Sequence, residues 1–536
     1  MSTNRRQILK FGSFTLAAAS PAPFFGNMAA AQVSQRIEVS ALLTPDPRAA
    51  TETSDTKRLQ RVIDQAHERG GGTVHLAAGR YISGSLLLRS NVSLWLDNGS
   101  ILAMSPDAAE FLPAEKLAYD AGANQATSDF HVALLVGDTV ERIAVFGEGI
   151  IECEQGKQKG GGPKPIALRR CMHVSLRSIT IRNARNYNIS MLGCQFVDID
   201  GVTIQNGHSD GIDPDCCRYV RIANCFVESV DDSLCLKASG ALGERGATEY
   251  VTVTNCVLRT ASIHFKCGTE SCGDFRNIAI SNCVFEGGLG MRHGNPGIAL
   301  YTVDGGTLDG IVASNIVMRD VGTPLAIIRG NRDRCTLGKG PGPLGAIRIS
   351  NIIATGAKFT SVITGLPDAP VTDVQISGVS ITMAVSGAGP KTLEAIPEHP
   401  TAYPQPVMFG ALPAFGLFLR HVTNLGLSDV RFKSPIEEDR PDIVADDVTN
   451  LRLHGYEKEL GTAATHLWLN DVRDSWLECL AILPIPAHSY RVSGARTSNL
   501  FFSGSGVLDW KEHLVIGTDV PHGSVHTSSF HGITRI

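Results

Sequence analysis

The chain is poor in aromatic residues (6%), carries a net charge of only -5, and has no long apolar run beyond its N-terminal segment. The small charge removes any case for binding nucleic acid or an anionic membrane. The missing apolar run excludes a later membrane span. No cysteine spacing matches a zinc site. Few aromatics beside 55 glycines suit many short strands joined by tight turns. With 43% hydrophobic and 19% charged residues, the 536-residue chain is globular and not disordered.

The first residues read as an address. Asn4-Arg5-Arg6-Gln7-Ile8-Leu9-Lys10 looks like a twin-arginine export signal, Phe11 to Met28 is weakly apolar, and Ala29-Ala30-Ala31 offers small residues for cleavage. Residues 1–31 are therefore set aside from the fold, and a periplasmic or secreted protein is expected. Thirteen cysteines in an exported chain raise the question of disulfides. The number is odd, and Asn224-Cys225, Asn255-Cys256 and Asn282-Cys283 share one context, which suits small internal rungs of a stacked fold. A Cys267–Cys272 disulfide stays open.

Leu59, Val62, Ile63 and Ala66 recur at helical spacing between Asp55, a candidate cap, and Gly70-Gly71-Gly72. Such a helix suits the plug at the open end of a solenoid. From about residue 165, short alternating segments repeat: Phe196-Val197-Asp198-Ile199, Tyr219-Val220-Arg221-Ile222, Tyr250-Val251-Thr252-Val253, and on to Asn450-Leu451-Arg452-Leu453. Strands at that period, with few helices, predict an all-β parallel β-helix over residues 32–460. The fixed leucine motif of leucine-rich repeats is absent. Around 380–420 the chain is rich in proline, which predicts a long loop of the kind that walls a groove. Residues 461–536 are either last coils or a small β extension.

Aspartates concentrate in one stretch. His208-Ser209-Asp210-Gly211-Ile212-Asp213-Pro214-Asp215 is followed by Val230-Asp231-Asp232-Ser233. If one coil consumes about that separation, the carboxylates stack on a single wall. Cleavage of a sugar–sugar bond needs a proton donor and a second carboxylate to activate water. Solvated turn acids, or a calcium site, would also carry such a run.

These residues resemble glycoside hydrolase family 28, the polygalacturonase- and rhamnogalacturonase-like pectin hydrolases. The Ser209–Asp215 run resembles that family's Asn-Thr-Asp-Gly-Ile-Asp motif, and Asp231-Asp232 its paired aspartates. The likeness extends over about 50–460, through Gly365-Leu366-Pro367 and Phe409-Gly410. It implies a right-handed parallel β-helix and an inverting hydrolysis. Asp231 would be the general acid, and Asp210 and Asp232 would hold and deprotonate the water. Inversion sets the carboxyls roughly 6.5–9.5 Å apart. Asp213 would support the site by hydrogen bonding, while Asp215 reads as a turn acid.

Two departures from the family bear on the substrate. Its Gly-His-Gly motif falls near Ser262-Ile263-His264-Phe265-Lys266, with the histidine displaced by one, and one step along a strand reverses the face. His264 and Lys266 are both candidates to reach the site. The family's Arg-Ile-Lys motif falls at Ala299-Leu300-Tyr301, so two carboxylate-binding cations are gone and Tyr301 offers a ring or a hydroxyl instead. Arg292, Arg329 and Arg332 are candidate replacements; for the latter pair, solvated turn arginines are the competing interpretation. Glu270 is a candidate ligand or an edge residue, and Lys237 a charge balance. The expected function is an exported hydrolase of galacturonate-containing pectic polysaccharide, of rhamnogalacturonan type or exo-acting, without metal or organic cofactor. The competitors are a calcium-dependent polysaccharide lyase on the same fold and a non-catalytic glycan-binding solenoid.

Overall fold

A computed structural model describes residues 41–530, apart from 116, 118–121, 125–126, 128, 154–160, 386, 388, 390–391, 434–437, 457–464, 481–488 and 506–512. The expected export segment, 1–31, lies outside the described residues. No helix among the described residues is long and apolar enough to cross a membrane.

The helix Thr56–Glu68 comes first. Its Leu59, Val62, Ile63 and Ala66 are buried in the main core, the three larger side chains contributing about 1.5–3 kcal/mol each. Asp55 stands at the N-cap but makes no side-chain capping bond. Its carboxylate instead accepts from Arg58 Nε at 2.7 Å and from the Ile82 amide at 2.6 Å, tying the helix start to the first coil. Gly70, at φ +90°, turns the chain out of the helix, a conformation that suits glycine.

Beyond the helix the chain is a right-handed parallel β-helix. Each strand lies in register on the strand one coil earlier. On the face that matters here, Ile189–Leu192 is followed by Ile212–Asp215, Leu234–Ala238, Phe265–Ser271, Pro296–Thr302, Thr323–Arg329 and Ser361–Thr364. The ladders place Ser190 beside Asp213, Asp215 beside Lys237, Cys235 beside Lys266 and Lys266 beside Ala299. Alternation sends one set of side chains into a continuous Ile/Val/Leu core and the other outwards. The Asn-Cys pairs split between these environments. Cys225, Cys256 and Cys283 are buried rungs, whereas Asn224 and Asn255 stack their amides on the exposed turn at positive φ. The same ladders continue through Leu467–Asn470 and Arg473–Leu480 to Val525–Phe530.

The proline-rich segment leaves the solenoid between Val371–Met383 and Leu417–Lys433. Its Leu393, Ile396, Phe409 and Leu412 cover an apolar outer face formed by Ala299, Tyr301, Ala326, Ile328, Val362 and Phe418. The loop is thus a roof over the coils that follow the aspartates. The disulfide joins Cys272 to Cys335, and Cys267 is a free buried thiol, so the Cys267–Cys272 pairing does not form.

Candidate active site

Asp210 and Asp232 lie one coil apart because Gly211 N donates to Asp232 O at 2.8 Å. A Cβ on Gly211 would sit 2.4 Å from Ser233 O, so only glycine permits this approach. From below, the Asn188 amide and side chain both donate to Asp210 O at 2.9 Å. The turn carrying the paired aspartates is held by Ser229 Oγ, which donates to Asp231 O at 2.8 Å, and by the Thr260 hydroxyl one coil on.

Two lysines neutralise two of the acids. Lys237 Nζ donates to Asp210 Oδ2 at 3.0 Å and packs 3.9 Å over the Tyr187 ring. It also lies 3.0 Å from Asp213 Oδ1, an ion contact whose angle does not make a hydrogen bond. Lys266 Nζ donates to Asp232 Oδ2 at 2.8 Å and meets Tyr403 Oη at 3.1 Å. Asp232 also accepts from Ser262 Oγ at 2.7 Å and from the Ile263 amide at 3.2 Å. Burial raises the Asp232 carboxyl, but the Lys266 charge and these bonds outweigh it and bring it to about 2. Burial pushes the Asp213 carboxyl up; Lys237 opposes this and the charge of Asp210 adds to it. An oxygen of Asp210, an oxygen of Asp232 and Cys235 Sγ lie within 4.8 Å of one another. Since both carboxylates already hold an ammonium, lysine supplies the charge that a cation would bring there.

Asp231 points into the same cleft, its Oδ1 4.0 Å from Arg292 Nη2. The cleft encloses about 540 Å³ and is lined by Asp210, Asp231, Asp232, Lys237, Lys266, Glu270, Arg292, His293 and Tyr403, together with Tyr187, Asn186 and Ser209. Asn124 and Asp129 line it from coils N-terminal to the aspartates. Tyr403 enters from the proline-rich loop, its neighbour Gln405 bonded to His293 at 3.0 Å.

The other expected residues are placed elsewhere. His264 is wholly buried, its Nδ1 3.0 Å from Pro296 O and its Nε2 3.1 Å from Glu286 O, and it stacks on Phe285. Burial lowers its pKa, and it does not line the cleft. Tyr301 is fully buried under the proline-rich roof, so it offers no face to a sugar. Arg329 donates to Pro370 O at 2.6 Å and to Pro341 O at 3.0 Å, where it ties loops together. Arg332 is bound to Asp304, with Nε–Oδ1 at 3.1 Å, and so is not a carboxylate clamp open to the cleft. Asp215, which reads as a turn acid in the sequence, ends the strand Ile212–Asp215 and is bound by Ser239 Oγ at 2.5 Å and its amide at 2.8 Å, a structural role outside the cleft lining. Tyr403, 137 residues from Lys266, was beyond reach of any local pattern.

Residues 121–399 match the profile of Glycosyl hydrolases family 28. The chain belongs to that family. A polygalacturonase of Ralstonia nicotianae is 25% identical over 354 residues, 53% of this chain, which spans 63% of that protein's length. The crystal structure of a hyperthermoactive exopolygalacturonase from Thermotoga maritima superposes over 73% of this chain and 92% of that one, with a TM-score of 0.57 and 19% identity. That likeness is one of fold: the same β-solenoid carries both chains.

Proposed function

We propose that this family 28 protein is an exo-acting, inverting hydrolase of galacturonate-containing pectic chains of rhamnogalacturonan type. The observation that carries the proposal is the convergence of Asp210, Asp231 and Asp232 on one cleft with two of the three held by buried ammonium groups. Inversion needs one ionised carboxylate beside the water and one protonated carboxyl beside the leaving oxygen. Asp232, near 2, stays ionised at any working pH and suits the first role together with Asp210. Asp231, the third carboxyl lining the cleft, takes the second and protonates the departing oxygen.

The exo assignment rests on the walls. Asp129, from a coil N-terminal to the aspartates, and Tyr403, from the proline-rich loop, both line the cleft, and walls from two such segments favour a chain end over the middle of a polymer. Export belongs to the same proposal, and the Cys272–Cys335 disulfide suits an oxidising compartment.

The test is a product analysis on rhamnogalacturonan and polygalacturonan oligosaccharides. Expected are saturated products shortened one unit at a time, with inverted anomeric configuration, from the rhamnogalacturonan series, and none from Asp231→Asn. Unsaturated products lost on chelation would replace the proposal with a lyase.

A further inference from the structure

Glu270 lies on the strand that carries Lys266, four residues further along. It lines the cleft and is 8% exposed. Its carboxylate accepts no hydrogen bond from another residue among the described residues. Burial favours the neutral acid, but Lys237, Lys266 and Arg332 keep it ionised.

Those three cations are already engaged. Lys237 serves Asp210 and Asp213 at 3.0 Å each, Lys266 serves Asp232 at 2.8 Å, and Arg332 serves Asp304 at 3.1 Å. With Glu270 included, this corner of the site holds more carboxylates than ammonium and guanidinium groups. A uronate ring placed there would add another anion without a spare cation to receive it. A sugar bearing two adjacent hydroxyls would instead donate both to the two oxygens of Glu270, which accept only. The cation with open surface is Arg292, whose side chain is 38% exposed beside Asp231.

We propose that Glu270 is a specificity-determining residue that selects an uncharged, hydroxyl-bearing sugar ring at its end of the cleft, leaving the anionic neighbour of that ring to the Arg292 end. The inference rests on the pectic reading above and deepens it. It assigns the preference to a residue that the aspartate motifs do not include, and it replaces Tyr301, Arg329 and Arg332 as the source of selectivity. The hydroxyls of the bound ring satisfy the Glu270 oxygens, and Tyr403, a residue 37% exposed whose hydroxyl meets Lys266, lines the cleft beside them.

Two oligosaccharides that differ in one group decide it: a galacturonate trimer, and the same trimer with its terminal carboxylate reduced to the alcohol. Binding is measured by calorimetry to the Asp231→Asn protein, which does not turn them over. The neutral-ended trimer is expected to bind about 10- to 100-fold more tightly, the range set by hydrogen bonds to a charged group. Adding Glu270→Gln, which keeps shape and removes charge, should bring the two affinities to within about threefold. Equal binding of both trimers by Asp231→Asn, or a preference that survives Glu270→Gln, overturns the assignment of Glu270 alone. Binding of neither trimer overturns this assignment, while the pectic reading is decided separately by the product analysis on rhamnogalacturonan oligosaccharides.

Discussion

Lys266 and Asp232 face each other across one coil at 2.8 Å, and both side chains are buried. The register that places Lys266 beside Cys235 also directs it onto the paired aspartates one coil below. This pair decides the charge state of a carboxylate that the proposed chemistry needs as an anion.

Replacing Lys266 by Met leaves that anion buried with neutral donors only. Removing one partner of a buried pair costs about 3–5 kcal/mol. The sign with pH follows from the depressed carboxyl. A folded pKa of about 2 lies below the 3.8 of the free group, so the pair stabilises the fold above 3.8 and the contribution is lost as pH falls towards 2. Lys266→Met should therefore melt lower at neutral pH and unfold in acid at a higher pH than the parent. Circular dichroism between pH 2 and 6 checks this; coincident acid transitions would contradict it.

Tyr403 is the part of the wall that a single substitution can remove. Tyr403→Ala opens the side of the cleft formed by the proline-rich loop, and longer internal products should appear from polymeric substrate. Tyr403→Phe keeps the ring and loses only the contact with Lys266. It should keep the one-unit product pattern. Product sizing by chromatography separates the two, and an unchanged pattern in Tyr403→Ala would remove the loop from the explanation of exo action.

Lys164 is fully buried, its Nζ donating to Asp129 O at 3.1 Å beside the Phe130 ring. Burial lowers its pKa to about 7 against the attraction of Asp213. An unfolded lysine keeps its proton to 10.5, so the unfolded state binds more protons between 7 and 10.5 and stability rises with pH there. Below 7 the charged form is carried at full cost. Lys164→Met should gain stability relative to the parent at pH 5–6, by a few kcal/mol at most, and that gain should shrink towards pH 10. Urea unfolding at the two pH values measures it. The same variant removes a hydrogen bond from the segment that brings Asp129 to the cleft, so KM should rise although stability improves.

How far the residues announced this arrangement depends on the range of each interaction. The aspartate wall was legible because a solenoid turns sequence period into vertical stacking. Asp210 and Asp232 are joined by one backbone bond, Gly211 to Asp232, repeated coil after coil. The displaced histidine was legible as a displacement, but its destination was not: the carbonyls of Pro296 and Glu286 belong to the next coil. Tyr301 sits on an outward position as alternation requires, and a roof folded back over it excludes it. Arg329, at the end of its strand, has the parity of Leu325 and Ile327, and carbonyls of remote loops hold it. In the sequence, Lys237 reads only as a charge balance for the paired aspartates. Its partners Asp210 and Asp213 are two of the aspartates on the preceding coil, which alternation and register together would have indicated. Lys164 followed by Pro165 carries no signal of its own.

The foot of the proline-rich loop supplies the last test. His421 Nδ1 lies 2.7 Å from Asp447 and its Nε2 3.1 Å from Glu398, a residue of the loop. Arg420 beside it donates to the loop carbonyls of Ile396 and Leu393 at 2.9 and 3.0 Å. Burial disfavours the imidazolium, but the two carboxylates outweigh it and raise the histidine to about 9. Because the folded pKa lies above 6.5, the stabilisation is complete below 6.5 and is lost as pH rises through 9. The parent protein should then show increasing protease cleavage within residues 392–413 between pH 8 and 10, while the coils stay intact. His421→Asn, which cannot charge, should show that cleavage already at pH 7. Arg420 keeps its own bonds to the loop in both cases, so the loosening is partial and the melting temperature falls little. Peptide mapping after brief digestion reads the result. Equal cleavage of the two proteins at pH 7 would mean that Arg420 and the loop's other contacts hold it, and that the wall of the cleft does not depend on the histidine's charge.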